Sequence, residues 1–194
     1  MIPTRSPALV LAVMAGCLTL AACSDPPRAS NPTTVTSWPA FDENMHSLFN
    51  DVIHPSAVGL SLDGGNPAQD PLLGARVLAA DLVARVKVST VTRDKVGAKV
   101  TYYLNLQVGR PPLVDPKWDV SSIELAIHRS TGAFGIVHSL DNTMQGRTFI
   151  AFVRRFASSD PGEAGPQLHW HLTADTPDVA QAIAETSALG EISE

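Results

Sequence analysis

The sequence predicts a mainly β domain with flanking helices, of the α+β class. Five segments between about residues 81 and 173 are predicted strands: most alternate apolar and polar residues, the period of a strand with one buried face, and the fourth is apolar on both faces in its middle, as in a central strand. An amphipathic segment with helical spacing precedes them, and a segment with a helix N-cap follows them. Five short strands between two helices favour a small barrel, and a two-sheet β-sandwich is the alternative.

The first helix is predicted over residues 41–53. Its first turn is acidic, as the helix dipole prefers. Its apolar residues share one face at helical spacing, and they are Phe41, Met45, Leu48, Phe49, Val52 and Ile53. His54 and Pro55 end the helix, and residues 71–80 are predicted to form one or two further helical turns.

The five strands are joined by turns that the sequence marks with glycine, proline and charged residues. The first two strands form a hairpin around residues 93–97, and residues 129–146 are a glycine-containing connection between the third strand and the fourth. The predicted strands cover about residues 80–88, 100–108, 120–128, 147–156 and 167–173.

A C-terminal helix is predicted over about residues 176–189. Thr176 is a suitable N-cap and Pro177 fits the first helical position, where its missing N–H costs nothing. Gly190 is the predicted stop, because glycine is the common residue just after a helix.

Composition excludes two classes of protein. The 194 residues carry a formal net charge of −5, which argues against a nucleic-acid partner because affinity for phosphates comes from lysine and arginine. Two cysteines are too few for a disulfide scaffold.

The N-terminal segment has the features of a secretory leader. Arg5 precedes an almost wholly apolar run over residues 8–22, which is shorter than the roughly 20 residues of a membrane span. The run ends in Leu20-Ala21-Ala22-Cys23, which resembles the lipobox of bacterial lipoproteins.

This resemblance implies cleavage before Cys23 and acylation of its sulfur and amine. Residues 1–22 would then be a signal peptide, residues 23–40 a Pro/Ser/Thr-rich tether and residues 41–194 a single globular domain. Removing Arg5 leaves 13 basic residues against 19 acidic ones, a net charge of −6. Several acyl chains would hold the protein on a membrane, and Ser24 after the cysteine favours the outer membrane, on its periplasmic or surface face, over the inner membrane.

A second resemblance concerns the strand region. The stretch from Ala80 to Val86 is similar to the first strand of secreted OB-like modules such as netrin-type domains, although the cysteines of those modules are absent. It implies an OB-like five-stranded barrel. In the OB strand order the third and fifth strands are neighbours.

One constellation suggests a metal site. His169 and His171 are two residues apart on a predicted strand, so both imidazoles point to one face. Glu124 and His128 would join them if the third and fifth strands are neighbours, giving a ligand set suited to zinc. The alternative is that these histidines are polar residues on an exposed face while the residues between them face the core.

No convincing set of catalytic residues or dedicated cofactor motif stands out. Residues 59–63 approach a nucleophile-elbow motif but lack its second glycine and its strand–turn–helix setting. Trp38, Tyr103 and Trp118 are interpreted as exposed anchors for a partner or as packing over loops.

The predicted function is therefore a lipid-anchored cell-envelope protein, a non-enzymatic binding or scaffold module for another envelope component. The first alternative is a periplasmic or surface metal-binding protein or metallohydrolase that uses the His-x-His strand. The second alternative is binding of a polysaccharide or small molecule in the mouth of the barrel.

Overall fold

A computed structural model describes residues 38–60, 65–159 and 165–192. The predicted signal peptide, the predicted lipidation site Cys23 and residues 24–37 of the predicted tether lie outside the described residues. Within the described part, no helix is long and apolar enough to cross a membrane.

The prediction of a mainly β, barrel-like domain with flanking helices is confirmed. Its strands are β1 (Val52–Ile53), β2 (Leu82–Val96), β3 (Lys99–Val108), β4 (Ser122–Ile127), β5 (Thr148–Ala157) and β6 (Pro166–Ala174). Its helices are α1 (Glu43–Leu48), α2 (Leu73–Ala79), α3 (Phe134–Met144) and α4 (Pro177–Ile192), and short 3-10 turns cover Pro55–Val58 and Pro67–Gln69.

The strands form one curled sheet, a half-barrel, in the order β1-β6-β5-β2-β3-β4. All neighbours are antiparallel except β1 and β6, which run parallel. The sheet therefore has six strands where the sequence predicted five. The predicted adjacency of the third and fifth strands, here β4 and β6, is wrong because three other strands separate them.

Apolar side chains cover both faces of the sheet. The inner face packs around fully buried Tyr102, Leu104 and Phe149, and helix α3 covers it through Val137 and Met144. On the outer face, α1, α2 and α4 cover β5; the buried residues of that cluster include Phe49, Val77, Phe152, Phe156 and Ile183. Strand β5 is buried on both faces, which explains the continuous apolar run in its sequence.

Two segments differ from the prediction: the first helix is shorter, and the predicted connection contains a helix. Helix α1 ends at Leu48, and Val52 and Ile53 pair with β6 as a short strand because Asp51, with a φ of 52°, turns the chain between them. Residues 129–146 contain helix α3 rather than only a connection. Its inward residues Val137, Leu140 and Met144 have helical spacing, which the sequence analysis did not use.

The C-terminal helix is confirmed but extends past its predicted stop. The N–H of Val179 donates to Thr176 Oγ1 at 3.3 Å, so Thr176 is the cap. The helix continues through Gly190 to Ile192. A Cβ at position 190 would lie 2.8 Å from Leu78 Cδ2, so this glycine allows α4 to approach α2 closely.

The described chain begins in a fixed contact. The Arg155 guanidinium lies 4.3 Å from the Trp38 ring centroid and 5.1 Å from that of Trp118, and its Nε donates to Asp81 Oδ2 at 2.9 Å. The N–H of Ala157 donates to the carbonyl of Pro39 at 2.8 Å. Trp38 and Trp118 thus pack on a half-buried arginine, the second of the two interpretations given for them.

Two glycines near the start of α3 provide a test of this packing. A Cβ at Gly132 would lie 2.6 Å from Val52 Cγ2, whereas a Cβ at Gly135 meets nothing within 4 Å. Because β-branched Val52 has little rotamer freedom, we expect Gly132→Ala to lower the free energy of unfolding by about 1–3 kcal/mol. Gly135→Ala is the matched control and should raise it by up to about 1 kcal/mol, because the change favours the helix. Urea denaturation of both variants measures the difference, and equal midpoints would contradict the described contact.

Candidate functional site

A cavity of about 530 Å³ lies between β4 and β6, where the half-barrel does not close. We call this gap the seam. Three apolar residues line it: Leu125 and Trp170, which are buried, and Leu168, which is half-buried. Its remaining lining is mainly polar and includes His46, Asn50, Asp51, Glu124, His128 and Gln167. The volume lies within the roughly 300–1,000 Å³ of small-molecule sites.

The β4 side of the seam is a strand edge. The N–H of Val108 donates to the carbonyl of Ser121 at 2.9 Å, which makes this a hydrogen-bonded pair of the β3–β4 ladder. Because such pairs alternate with non-hydrogen-bonded ones, the main-chain N–H and C=O of Glu124 and Ala126 point away from β3. No strand of the described chain pairs with that side of β4.

The β6 side is a second strand edge. The N–H of Asp51 donates to Trp170 O at 2.9 Å and that of His54 donates to Leu172 O at 2.8 Å, so these β6 residues direct their main-chain groups toward β1. The main-chain groups of Leu168, two residues before Trp170, point to the same side of β6 as those of Trp170. Strand β1 pairs only with His171 and Leu172, so it does not reach Leu168. The main-chain groups of Leu168 therefore face the seam.

Side chains close one end of both edges. Thr131 Oγ1 accepts from the N–H of His128 at 3.0 Å, just past the end of β4. Asp51 Oδ1 accepts from the N–H of Trp170 at 3.0 Å, just beyond β1. These two bonds leave Glu124, Ala126 and Leu168 as the open stretch of the seam.

Asp51 and its neighbour Asn50 also hold the two histidines of β6 on the outer face of the sheet. The Nδ1 of His169 lies 2.9 Å from Asp51 Oδ2, and its ring stacks on Phe41 at 3.6 Å between centroids. The Nδ1 of His171 lies 3.1 Å from Asn50 Oδ1, so a neutral ring can donate there.

A buried arginine completes this polar cluster. Arg76 donates from Nε to the carbonyl of Leu48 at 2.8 Å and forms an ion pair with Asp70. Burial lowers the pKa of His171 to about 3, and the positive charge of Arg76 adds to the effect. Burial opposes ionisation of Asp70, but hydrogen bonds from Arg76 and Leu72 and the charge of Arg76 outweigh it, so its pKa is lowered.

The structure does not bring the predicted metal ligands together. Glu124 and His128 line the seam, where Glu124 accepts from Asn105 Nδ2 at 3.3 Å and His128 Nδ1 lies 3.1 Å from Thr101 Oγ1. His169 and His171 lie on the outer face with the partners given above. Residues 38–60, 65–159 and 165–192 contain no group of three or more His, Cys, Asp or Glu placed to hold a metal ion.

Sequence reasoning did not find Asp51, Asn50 or the seam. No signal in the sequence marks the dipeptide, because Asn50 and Asp51 fall outside the apolar face of the helix predicted over residues 41–53. The seam depends on strand order, which the alternating pattern does not specify.

Comparison with known proteins gives no assignment: no protein-family model, no curated protein and no solved structure matches this chain.

His171 predicts a dependence of stability on acid. Its pKa is about 3 in the folded chain against 6.5 for the ordinary imidazole, so between these values the unfolded chain binds more protons. The free energy of unfolding should therefore fall as the pH is lowered from about 6.5 toward about 3. Protonation of Asp70, whose pKa is also lowered, should remove further stability below its ordinary 3.8.

Urea denaturation at about pH 7.5 and about pH 5 measures this effect. His171→Gln should reduce the difference between the two conditions, whereas His46→Gln, at an exposed position, should retain it. A wild-type protein equally stable in both conditions would be inconsistent with a buried neutral His171.

Proposed function

We propose that this chain is a lipid-anchored protein of the bacterial cell envelope whose half-barrel binds another envelope component without catalysing a reaction. The lipid is on Cys23, and the membrane is the outer one, which the domain reaches through the tether of residues 23–40. Support for the anchor comes from the lipobox-like Leu20-Ala21-Ala22-Cys23 after an apolar leader. The observation that carries the binding role is the seam, where two strand edges face one cavity.

The seam supports a binding role because its groups suit recognition. Half-buried Leu168 offers apolar surface, and the main-chain groups of Glu124, Ala126 and Leu168 offer hydrogen bonds in fixed directions. Polar groups in defined positions beside apolar side chains can bind a ligand and fix its orientation.

A second candidate uses the same cavity for a polysaccharide or another small molecule. The polar side chains of Asn50, His46 and Gln167 beside buried Trp170 favour it. The metal-binding alternative has less support, because the described part of the chain contains no group of three or more His, Cys, Asp or Glu placed to hold a metal ion.

The anchor is tested by metabolic labelling with an alkyne-bearing fatty acid, followed by mass spectrometry of the purified chain. We expect label on the wild-type protein and none on Cys23→Ala. Cys17→Ala is the matched control and should retain the label, because Cys17 lies within the segment that would be removed. Unlabelled wild-type protein, or loss of label only in the Cys17 variant, would refute the anchor at Cys23.

The binding role is tested by photo-crosslinking in intact cells. A photoreactive residue at Gln167, in the seam, should give a defined adduct with an envelope component. The same residue at exposed Ala188 on α4 should not give that adduct. Identical products from both positions, or none from Gln167, would reject binding at the seam.

A further inference from the structure

The seam presents two strand edges to one cavity. Glu124 and Ala126 on one side and Leu168 on the other direct main-chain N–H and C=O groups into one cavity. Unpaired ladder groups of this kind are a template for an added strand. The bonds from Thr131 to His128 and from Asp51 to Trp170 mark where such a strand would stop.

The directions of the two edges are compatible with a single added strand. Four successive antiparallel pairings connect β6 to β5, β2, β3 and β4, so β4 and β6 run in the same sense around the sheet. One strand running the opposite way is antiparallel to both edges. It would continue the alternating order and close the half-barrel.

The charge of the seam indicates what the strand carries. Among the described residues that line the cavity there is no lysine or arginine, and Glu124 is exposed on the edge of β4. Opposite charges on facing residues of neighbouring strands attract, and like charges repel. A basic side chain opposite Glu124 is therefore favoured.

Glu124 also disfavours a second copy of this chain as the occupant of the seam. A symmetric antiparallel pair of β4 edges centred on Glu124 places the two carboxylates opposite each other, which is unfavourable. In this register the β4 edge of a second copy cannot supply a cation at that position.

We propose that the seam accepts an extended segment of a partner polypeptide, which adds as a strand to the edge of β4, faces Leu168 on its other side and places a lysine or arginine opposite Glu124. This inference rests on the proposed function and names its partner class. Main-chain hydrogen bonds supply affinity in this mode of recognition, and the side chains opposite the edge supply specificity.

The test selects a random linear heptapeptide library, displayed on phage, against the whole chain in detergent micelles. We expect recovered peptides to alternate β-branched and polar residues and to contain a basic residue. The Glu124→Lys variant should bind these peptides about two- to five-fold more weakly than the wild type does. Peptides that carry glutamate in place of the basic residue should bind this variant with the original affinity. Asp94→Lys, on the exposed end of the β2–β3 hairpin, is the matched charge control and should leave binding unchanged.

The ladder itself is tested in two ways. Ala126→Pro removes an N–H that points into the seam, a position where an edge strand tolerates proline, and should weaken binding about tenfold. N-methylation of alternate amides of a recovered peptide removes its donors without altering the protein, and should abolish binding.

The proposal of an added strand would be overturned if peptides bind equally well after N-methylation. It would also be overturned if neither Glu124→Lys nor Ala126→Pro changes their binding. A library that yields no binder, or a chain that self-associates through β4, would overturn it as well. If Gln167 still captures an envelope component in cells, the binding role stands and only the strand fails.

Discussion

The main constraint on this fold is the hydrogen bonding of a sheet that curls without closing. Strands β5, β2 and β3 each pair with a neighbour on both sides. Strand β4 and the first half of β6 line the same cavity, but they do not pair with each other. A buried strand edge must find partners, whereas an edge beside solvent need not. The position of the seam at the surface is therefore what makes an incomplete barrel stable.

Asp51 connects the edge of β6 to the neighbouring parts of the structure. Its carboxylate caps the N–H of Trp170 and accepts from His169, and its main-chain carbonyl accepts from the N–H of Ala133 just before α3. The left-handed φ of 52° lets one residue serve the edge of β6, the outer face and the helix. Aspartate tolerates this conformation better than most residues, which suits it to a tight junction between α1 and β1.

Much of the fold could be predicted from periodicity. Strands with one wet face, such as β3 and β4, alternate cleanly, and Thr176 marks the start of α4 by its chemistry. The failures have a common cause in tertiary contacts. Val52 and Ile53 satisfy a helical pattern as well as a strand pattern, and only pairing with β6 decides between them. Gly190 lies inside α4 and close to Leu78 of α2, a contact between helices that the sequence does not reveal.

The candidate site was less predictable for the same reason. The face shared by His169 and His171 was inferred correctly, since both side chains lie on the outer face of β6. Their neighbours could not be inferred, because they come from the junction after α1, and Glu124 and His128 lie across the seam. Alternation along one strand identifies faces, but only the strand order identifies which faces meet.

The outer-face histidines and the seam are nevertheless connected through two adjacent residues. Asn50 accepts from His171, and Asp51, the next residue, caps the edge of β6. Burial disfavours a proton on His171, and the positive charge of nearby Arg76 adds to this effect, so the pKa of His171 lies at about 3. Neutral His171 therefore helps to hold the junction that ends the seam. Acid that protonates this ring therefore acts on the residue next to the cap.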